Sequence, residues 1–160
     1  MLELLEPSEG DIVLDVGYGS GWTTALLAEI VSAKKQSQNK EELKQKGVKK
    51  EGRVYAIERV SELCEFGRKN ISKYNFLERG IVECFCGNGI KGLKEKAPFD
   101  KILAGASARE VPGAWKEQLK INGRIVAPVG WSVWLIIKKS EKDFEEIEYP
   151  GFAFVPLIEE

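Results

Sequence analysis

Short apolar runs alternate along this chain with stretches that repeat at helical spacing. Residues 12–16, 53–58, 81–86, 100–105 and 124–129 read as strands. In the fourth of these, Ile102, Leu103 and Ala104 form the apolar centre. Residues 22–31 and 61–74 read as helices, with Ser61 as the N-cap of the second. A further helix starts at Pro112, which suits a first helical position, and Gly123 punctuates the chain between it and the fifth strand. The pattern then changes. Residues 133–138 and 144–148 are strand-like and joined by the polar run 139–143, which predicts an antiparallel hairpin. Alternating β and α elements predict an α/β fold: a mainly parallel, twisted sheet with helices on both faces.

At 160 residues the chain makes one domain, residues 1–160, with a core of its own. One segment departs from the alternation. Residues 34–51 carry seven lysines and three glutamates and almost nothing apolar. They read as a solvated insertion holding a short helix, with Asn39 and Glu42 as a capping box and Gly47 as its stop. Glu42 and Lys46 stand at helical pairing distance. The formal net charge of −1 sets up no general field for nucleic acid. No apolar run reaches the ~20 residues that span a bilayer. The acidic start, residues 1–7, is no signal peptide, so the expected location is cytoplasmic and no membrane partner is expected.

Candidate chemistry begins at the end of the first strand. Asp15, Gly17, Tyr18, Gly19, Ser20 and Gly21 form D-x-G-x-G-x-G between a strand and a helix. Glycine tolerates φ > 0 and lets a ligand approach the backbone closely. The helix start behind the turn offers unpaired N–H groups. A dinucleotide fingerprint wants its third glycine where Trp22 stands, which argues against a nicotinamide dehydrogenase. The observed spacing resembles the first motif of S-adenosylmethionine-dependent methyltransferases.

An acidic residue for ribose hydroxyls is expected about 20 residues past such a turn. Glu58 lies 37 residues past Gly21, or 20 once the 17 residues 34–50 are set aside. Glu58 and Arg59 close the second strand, Gly87, Asn88 and Gly89 the third, and Gly105, Ala106 and Ser107 the fourth. A nucleoside fits these strand ends: the glycine turn for its amino-acid end, Glu58 for the ribose, and Asn88 with Gly89 for adenine.

Histidine is absent, which excludes Ser-His-Asp and Cys-His catalysis and a His general base, and no metal site is expected. Cys64, Cys84 and Cys86 read as core-packing thiols rather than a disulfide framework. Cys84 and Cys86 share one strand face at roughly 6.5–7 Å, at or beyond bridging range.

Several runs together resemble the protein-L-isoaspartate O-methyltransferase family. They are L-E-L-L-E-P-x-x-G-D (2–11), V-L-D-V-G-x-G-S-G-W (13–22), G-R-V-Y-A-I-E-R (52–59) and Y-N-F-L-E-R-G (74–80), continuing with P-F-D-K-I-L-A-G-A (98–106), L-K-x-x-G-R-I-V-A-P-V-G (119–130) and F-V-P-L (154–157). The resemblance implies a Rossmann-like methyltransferase fold with a C-terminal antiparallel hairpin. It implies methyl transfer from S-adenosylmethionine to the carboxylate of isoaspartyl residues in damaged proteins, with Val155 and Pro156 on the acceptor side. An ionised carboxylate needs no general base, so the lack of histidine is no obstacle and no catalytic residue is named.

The chain departs from the family pattern in four places. It starts in what resembles the last turns of the helix after the family's N-terminal, serine-bearing segment. The family's Gly-Asp-Gly is Gly87-Asn88-Gly89 here. Gly67 falls inside a predicted helix, at a cost of roughly 0.5–1 kcal/mol relative to alanine. Trp131 and Trp134 make the stretch after the fifth strand unusually apolar. Two alternatives stand beside the family reading: an S-adenosylmethionine-binding domain without catalysis, and a methyltransferase for another acceptor, such as a small molecule or a nucleic acid touched by the lysine-rich insertion.

Overall fold

The computed structural model describes residues 1–32 and 51–158. Its strands are β1 (Ile12–Val16), β2 (Arg53–Glu58), β3 (Val82–Cys86), β4 (Phe99–Ala104), β5 (Leu119–Val129), β6 (Ser132–Lys138) and β7 (Phe144–Pro150). Its α-helices are α1 (Leu2–Leu5), α2 (Trp22–Val31), α3 (Ser61–Ser72) and α4 (Gly113–Gln118). One sheet runs in the order β3-β2-β1-β4-β5-β6-β7. The first five strands are mutually parallel, and β6 runs antiparallel to both its neighbours, β5 and β7. This is an α/β, Rossmann-like architecture with a terminal antiparallel hairpin, as expected. Among the described residues no helix is long and apolar enough to cross a membrane.

The apolar runs of β1 and β4 result from burial on both sides. Val13 joins Leu27, Val31, Ile71 and Leu103 in one core, whereas Leu14 and Val16 join Phe99, Ile102 and Trp115 in the other. Alternate residues of a strand face opposite layers, so a doubly covered strand must be apolar at nearly every position. Asp15 is the exception in β1, at 1% exposure. The chain builds outward from β1 to β3, then returns to place β4 on the other flank of β1. That reversal opens the crevice in which such sheets bind ligands.

Several strand ends shift by one or two residues from the sequence reading, and four differences have a physical cause. The strand at 124–129 begins instead at Leu119 and runs through an irregularity where Phe99 pairs Leu119 and Lys101 pairs Arg124. Gly123 does not end an element there. It lies inside the bulge, where a Cβ would meet the carbonyl oxygens of Lys120 and Asp100 at 2.8 and 2.9 Å. The predicted helix 61–74 ends at Ser72, and its N-cap is Val60 rather than Ser61. A side chain from the preceding strand serves that entrance: Glu58 Oε1 accepts from the N–H groups of Arg59 and Val60 at 2.8 and 3.0 Å. Pro112 sits one position before α4, not within it.

Cys64 and Cys86 form a disulfide, which corrects the expectation of three core thiols. Strand geometry alone decided only the pairing of Cys84 with Cys86, and those two do not pair. Cys64 comes from the first turn of α3, which folds back over the end of β3 and brings the Cα atoms to 5.9 Å. Cys84 keeps its thiol, pushed up to about 11 by burial. Gly67 is corrected in another sense. Its Cβ would lie 2.3 Å from the Gly19 carbonyl oxygen and 2.7 Å from the Tyr18 ring, so glycine is what allows α3 to seat against the glycine turn. Trp134 is half-buried in β6, and Trp131 is 78% exposed at the turn before it. The lysine-rich insertion, with its expected helix, falls outside the described residues except for Glu51.

Candidate active site

The glycine turn leaves β1 at its carboxyl end and is fixed from three directions. Gly17 N–H donates to the Ile57 carbonyl at 2.8 Å, tying it to β2. The Tyr18 hydroxyl donates to the Cys64 carbonyl at 2.9 Å, and Asn70 Nδ2 donates to the Ser20 carbonyl at 3.0 Å, tying it to α3. Gly19 N–H donates to Glu58 Oε2 at 2.9 Å. Gly17, Gly19 and Gly21 all have positive φ, at 75°, 48° and 78°. A Cβ on Gly21 would lie 2.7 Å from the Gly67 carbonyl oxygen and from Ile71, so Gly21 and Gly67 interlock.

The side chains of the turn divide their work. Tyr18 is buried under α3 and presents only backbone to the strand ends, while Ser20 is exposed. Asp15 accepts from Thr24 Oγ1 at 2.6 Å. Burial raises its carboxyl to about 6, against the lowering effect of the Thr24 hydroxyl, and the nearby Glu58 charge pushes the same way as burial. A cleft of about 540 Å³ opens beside it, with Glu3, Asp15, Gly17, Trp22, Gly105 and Phe154 among its walls. Its ionisable side chains among the described residues, Glu3 and Asp15, are both acids, and Met1 lines it as well.

Glu58 is 7% exposed and lies across the turn from that cleft. Its carboxylate accepts three backbone N–H groups, two on Oε1 and one on Oε2. A carboxylate has about four lone-pair sites, so Oε2 retains one acceptor position. Cys86 is the sheet neighbour of Glu58, and Gly87 N–H donates to the Glu58 carbonyl at 2.8 Å. Arg59 is exposed just beyond. Asn88 caps its own short turn, accepting from Ile90 N–H at 3.0 Å, and Gly89 is buried, with its carbonyl accepting from Trp115 Nε1 at 2.8 Å. The sequence-derived residues of strands one to three therefore meet at one edge of the sheet.

A second cleft, of about 800 Å³, lies over the ends of β4 and β5, lined by Ser107, Ala108, Arg109, Gly130, Phe154 and Pro156 among others. Residues 151–158 return across the sheet to form its wall. Ser107 N–H donates to the Val155 carbonyl, and Leu157 N–H to the Ser107 carbonyl, each at 2.8 Å. Pro156 lines the cleft, whereas Val155 contributes its carbonyl and is 71% exposed. Phe154 borders both clefts. Sequence reasoning missed it, although Phe154 and Pro156 are two apart in an extended run and so share a side. Arg109 and Thr24 were also missed; neither lies in a spaced motif.

The family profile described as protein-L-isoaspartate(D-aspartate) O-methyltransferase matches residues 1–160. The chain belongs to this family. Among its relatives, the protein-L-isoaspartate O-methyltransferase of Thermococcus onnurineus is 41% identical over 165 residues, covering 100% of this chain and 66% of the relative. That of Methanopyrus kandleri is 39% identical over 164 residues, covering 100% of this chain and 64% of the relative. A Plasmodium falciparum structure assigned as protein-L-isoaspartate O-methyltransferase, in complex with S-adenosyl-L-homocysteine, superposes with a TM-score of 0.78 at 25% identity, covering 99% of this chain and 70% of that one. The chain thus spans roughly two thirds of the length of these family members.

Proposed function

We propose that this chain binds S-adenosylmethionine and transfers its methyl group to the carboxylate of isoaspartyl residues in damaged proteins. One observation carries the reading: the glycine turn is bonded to a buried carboxylate, Glu58, at the reversal point of the sheet, beside a cleft walled by Asp15. The residues suit the cofactor. Glu58 Oε2 has an acceptor position for a ribose hydroxyl. Gly19 has no atom within 4 Å of its Cβ position, so the backbone there is open to a ligand beside the carboxylate. Asp15 places negative charge where the ammonium and sulfonium groups need it.

When bound, the cofactor supplies an electrophilic methyl group on a positively charged sulfur. The protein's part is positioning. Asp15 and the glycine turn hold the amino-acid end, Glu58 the ribose, and Asn88 and Gly89 border the adenine. Phe154 stands between the cofactor cleft and the acceptor cleft and keeps water from their junction. The acceptor carboxylate is ionised near neutral pH, so no group on the protein has to take a proton. Proximity and in-line orientation are enough to lower the barrier.

The cofactor site is best tested from the ligand side, because removing Glu58 would orphan three backbone N–H groups. Calorimetry should show S-adenosylhomocysteine binding roughly tenfold or more tightly than its 2′-deoxyribose analogue, the usual weight of a hydrogen bond to a charged group. Equal affinities would remove Glu58 as the ribose partner. Isoaspartyl-peptide methylation with labelled cofactor tests the reaction itself. Saturable cofactor binding with no transfer would leave a binding domain.

A further inference from the structure

The Cys64–Cys86 disulfide stands against the backbone of Glu58. Cys86 is the partner of Glu58 in the β2–β3 register, and the Gly87 N–H that follows it donates to the Glu58 carbonyl at 2.8 Å. Cys64 approaches the same carbonyl from α3, with its Sγ 3.3 Å from the oxygen. The Cys64 carbonyl in turn accepts from the Tyr18 hydroxyl at 2.9 Å. The bridge thus joins the first turn of α3, on which the glycine turn hangs, to the end of β3, and Glu58 touches both. The two sulfurs differ in access. Cys64 is 8% exposed, whereas Cys86 is exposed on an edge strand of the sheet. The third cysteine, Cys84, is half-buried, and burial pushes its thiol up to about 11. It stays protonated at neutral pH and so does not compete as a nucleophile.

We propose that this bridge is a thiol-exchange site that opens at Cys86 and sets the affinity for the cofactor. The coupling to the cofactor rests on the S-adenosylmethionine reading above. Exposed disulfides are the labile ones. A low-molecular-weight thiolate attacks the Cys86 sulfur, the one that solvent reaches. The new bond joins that thiol to Cys86. The Cys64–Cys86 bond breaks, and its electron pair leaves on Cys64. Cys64 takes a proton from water and is placed to donate it to the Glu58 carbonyl, already 3.3 Å away. A second thiolate attacks the outer sulfur of the mixed disulfide, which releases the oxidised small thiol and leaves Cys86 as a thiolate. Two electrons have then passed from two small thiols to the bridge. Opening it frees the start of α3 from β3. Glu58 Oε1 relies on N–H groups at that start, from Arg59 and Val60, and Gly87 to Gly89 follow Cys86 directly. The ribose carboxylate and the adenine turn lose their fixed spacing. The bridged form therefore binds cofactor more tightly, and by reciprocity bound cofactor holds the bridge closed.

The test uses the whole chain, equilibrated with mixtures of reduced and oxidised dithiothreitol. Free thiols are counted by alkylation and mass measurement, and circular dichroism reports whether each form is folded. The reduced form should stay folded and bind S-adenosylhomocysteine about tenfold more weakly in calorimetry. Saturating S-adenosylhomocysteine should then lower the reduction potential of the bridge by about 30 mV, the same factor read from the other side. Brief exposure to glutathione should place the adduct on Cys86 in peptide mapping, and Cys86→Ser should bind like reduced wild type. Equal affinities in the two folded forms, with no shift in potential, would overturn the coupling. An adduct on Cys64 would overturn the point of attack. A reduced chain that unfolds would make the bridge a structural staple and overturn the switch. No S-adenosylhomocysteine binding by either form would discard the cofactor reading and the coupling with it, whereas a Cys86 adduct would still establish the exchange site.

Discussion

Gly67→Ala should lower the unfolding free energy by about 2 kcal/mol, although alanine is the better helix former. The helix gain is at most about 1 kcal/mol. Against it stands overpacking, which costs ~1–3 kcal/mol in a close-packed site. The upper end applies here, because the added Cβ would meet a backbone oxygen, Gly19 O, at 2.3 Å rather than a flexible side chain. Relief requires α3 to lift from the glycine turn, which strains the Tyr18–Cys64 and Asn70–Ser20 hydrogen bonds. Gly19 is also the residue whose N–H meets Glu58, so S-adenosylhomocysteine affinity should fall along with stability. Denaturant unfolding measures the first effect and calorimetry the second. A variant stabilised by the helix-propensity increment alone would show that the interlock does not hold.

Asp15→Asn should separate stability from binding. The folded carboxyl is raised to about 6 from an ordinary 3.8. The native state therefore holds its proton more tightly than the unfolded chain does. Wild-type stability should fall as pH rises from about 4 to about 6 and then level off. The full difference corresponds to at most about 3 kcal/mol. The asparagine has no charge to desolvate and can still accept from Thr24. Its advantage should be absent below about pH 4 and complete above about pH 6, as thermal unfolding across that range would reveal. The same substitution should weaken S-adenosylhomocysteine binding at pH 7.5, because the ionised form is the one that attracts a cation. A variant with the pH profile of wild type would rule out Asp15 as the source of the slope.

These two sites also mark how far the sequence was readable. The strands of the parallel half were legible because burial on both faces forces continuous apolar runs, as at Val13 to Val16. Asp15 and the three glycines stood out because they interrupt that pattern at regular spacing. Glu58 was found through its distance from the turn, once the insertion was set aside. The features that stayed hidden depend on contacts distant in sequence. Gly67 looks like a helix defect until Gly19 is placed beneath it. Cys64 looks like a core thiol until α3 is laid over the end of β3. The start of β5 was missed because a bulge at Asn122 and Gly123 imitates a chain break. Phe154 and Arg109 acquire meaning only when residues 151–158 fold back across β4 and β5.

The covalent tie between Cys64 and Cys86 closes a ring that contains most of α3 and all of β3 up to its last residue. Arg68, Lys69, Lys73 and Arg79 all lie within that ring and are exposed. A trypsin cut at any of them opens the ring without dividing the molecule. A singly nicked chain should therefore migrate intact on a non-reducing gel and separate into two fragments only when a thiol is added. In such a nicked protein Glu58 and Asn88, which stand on either side of the cut, would still be held on one molecule.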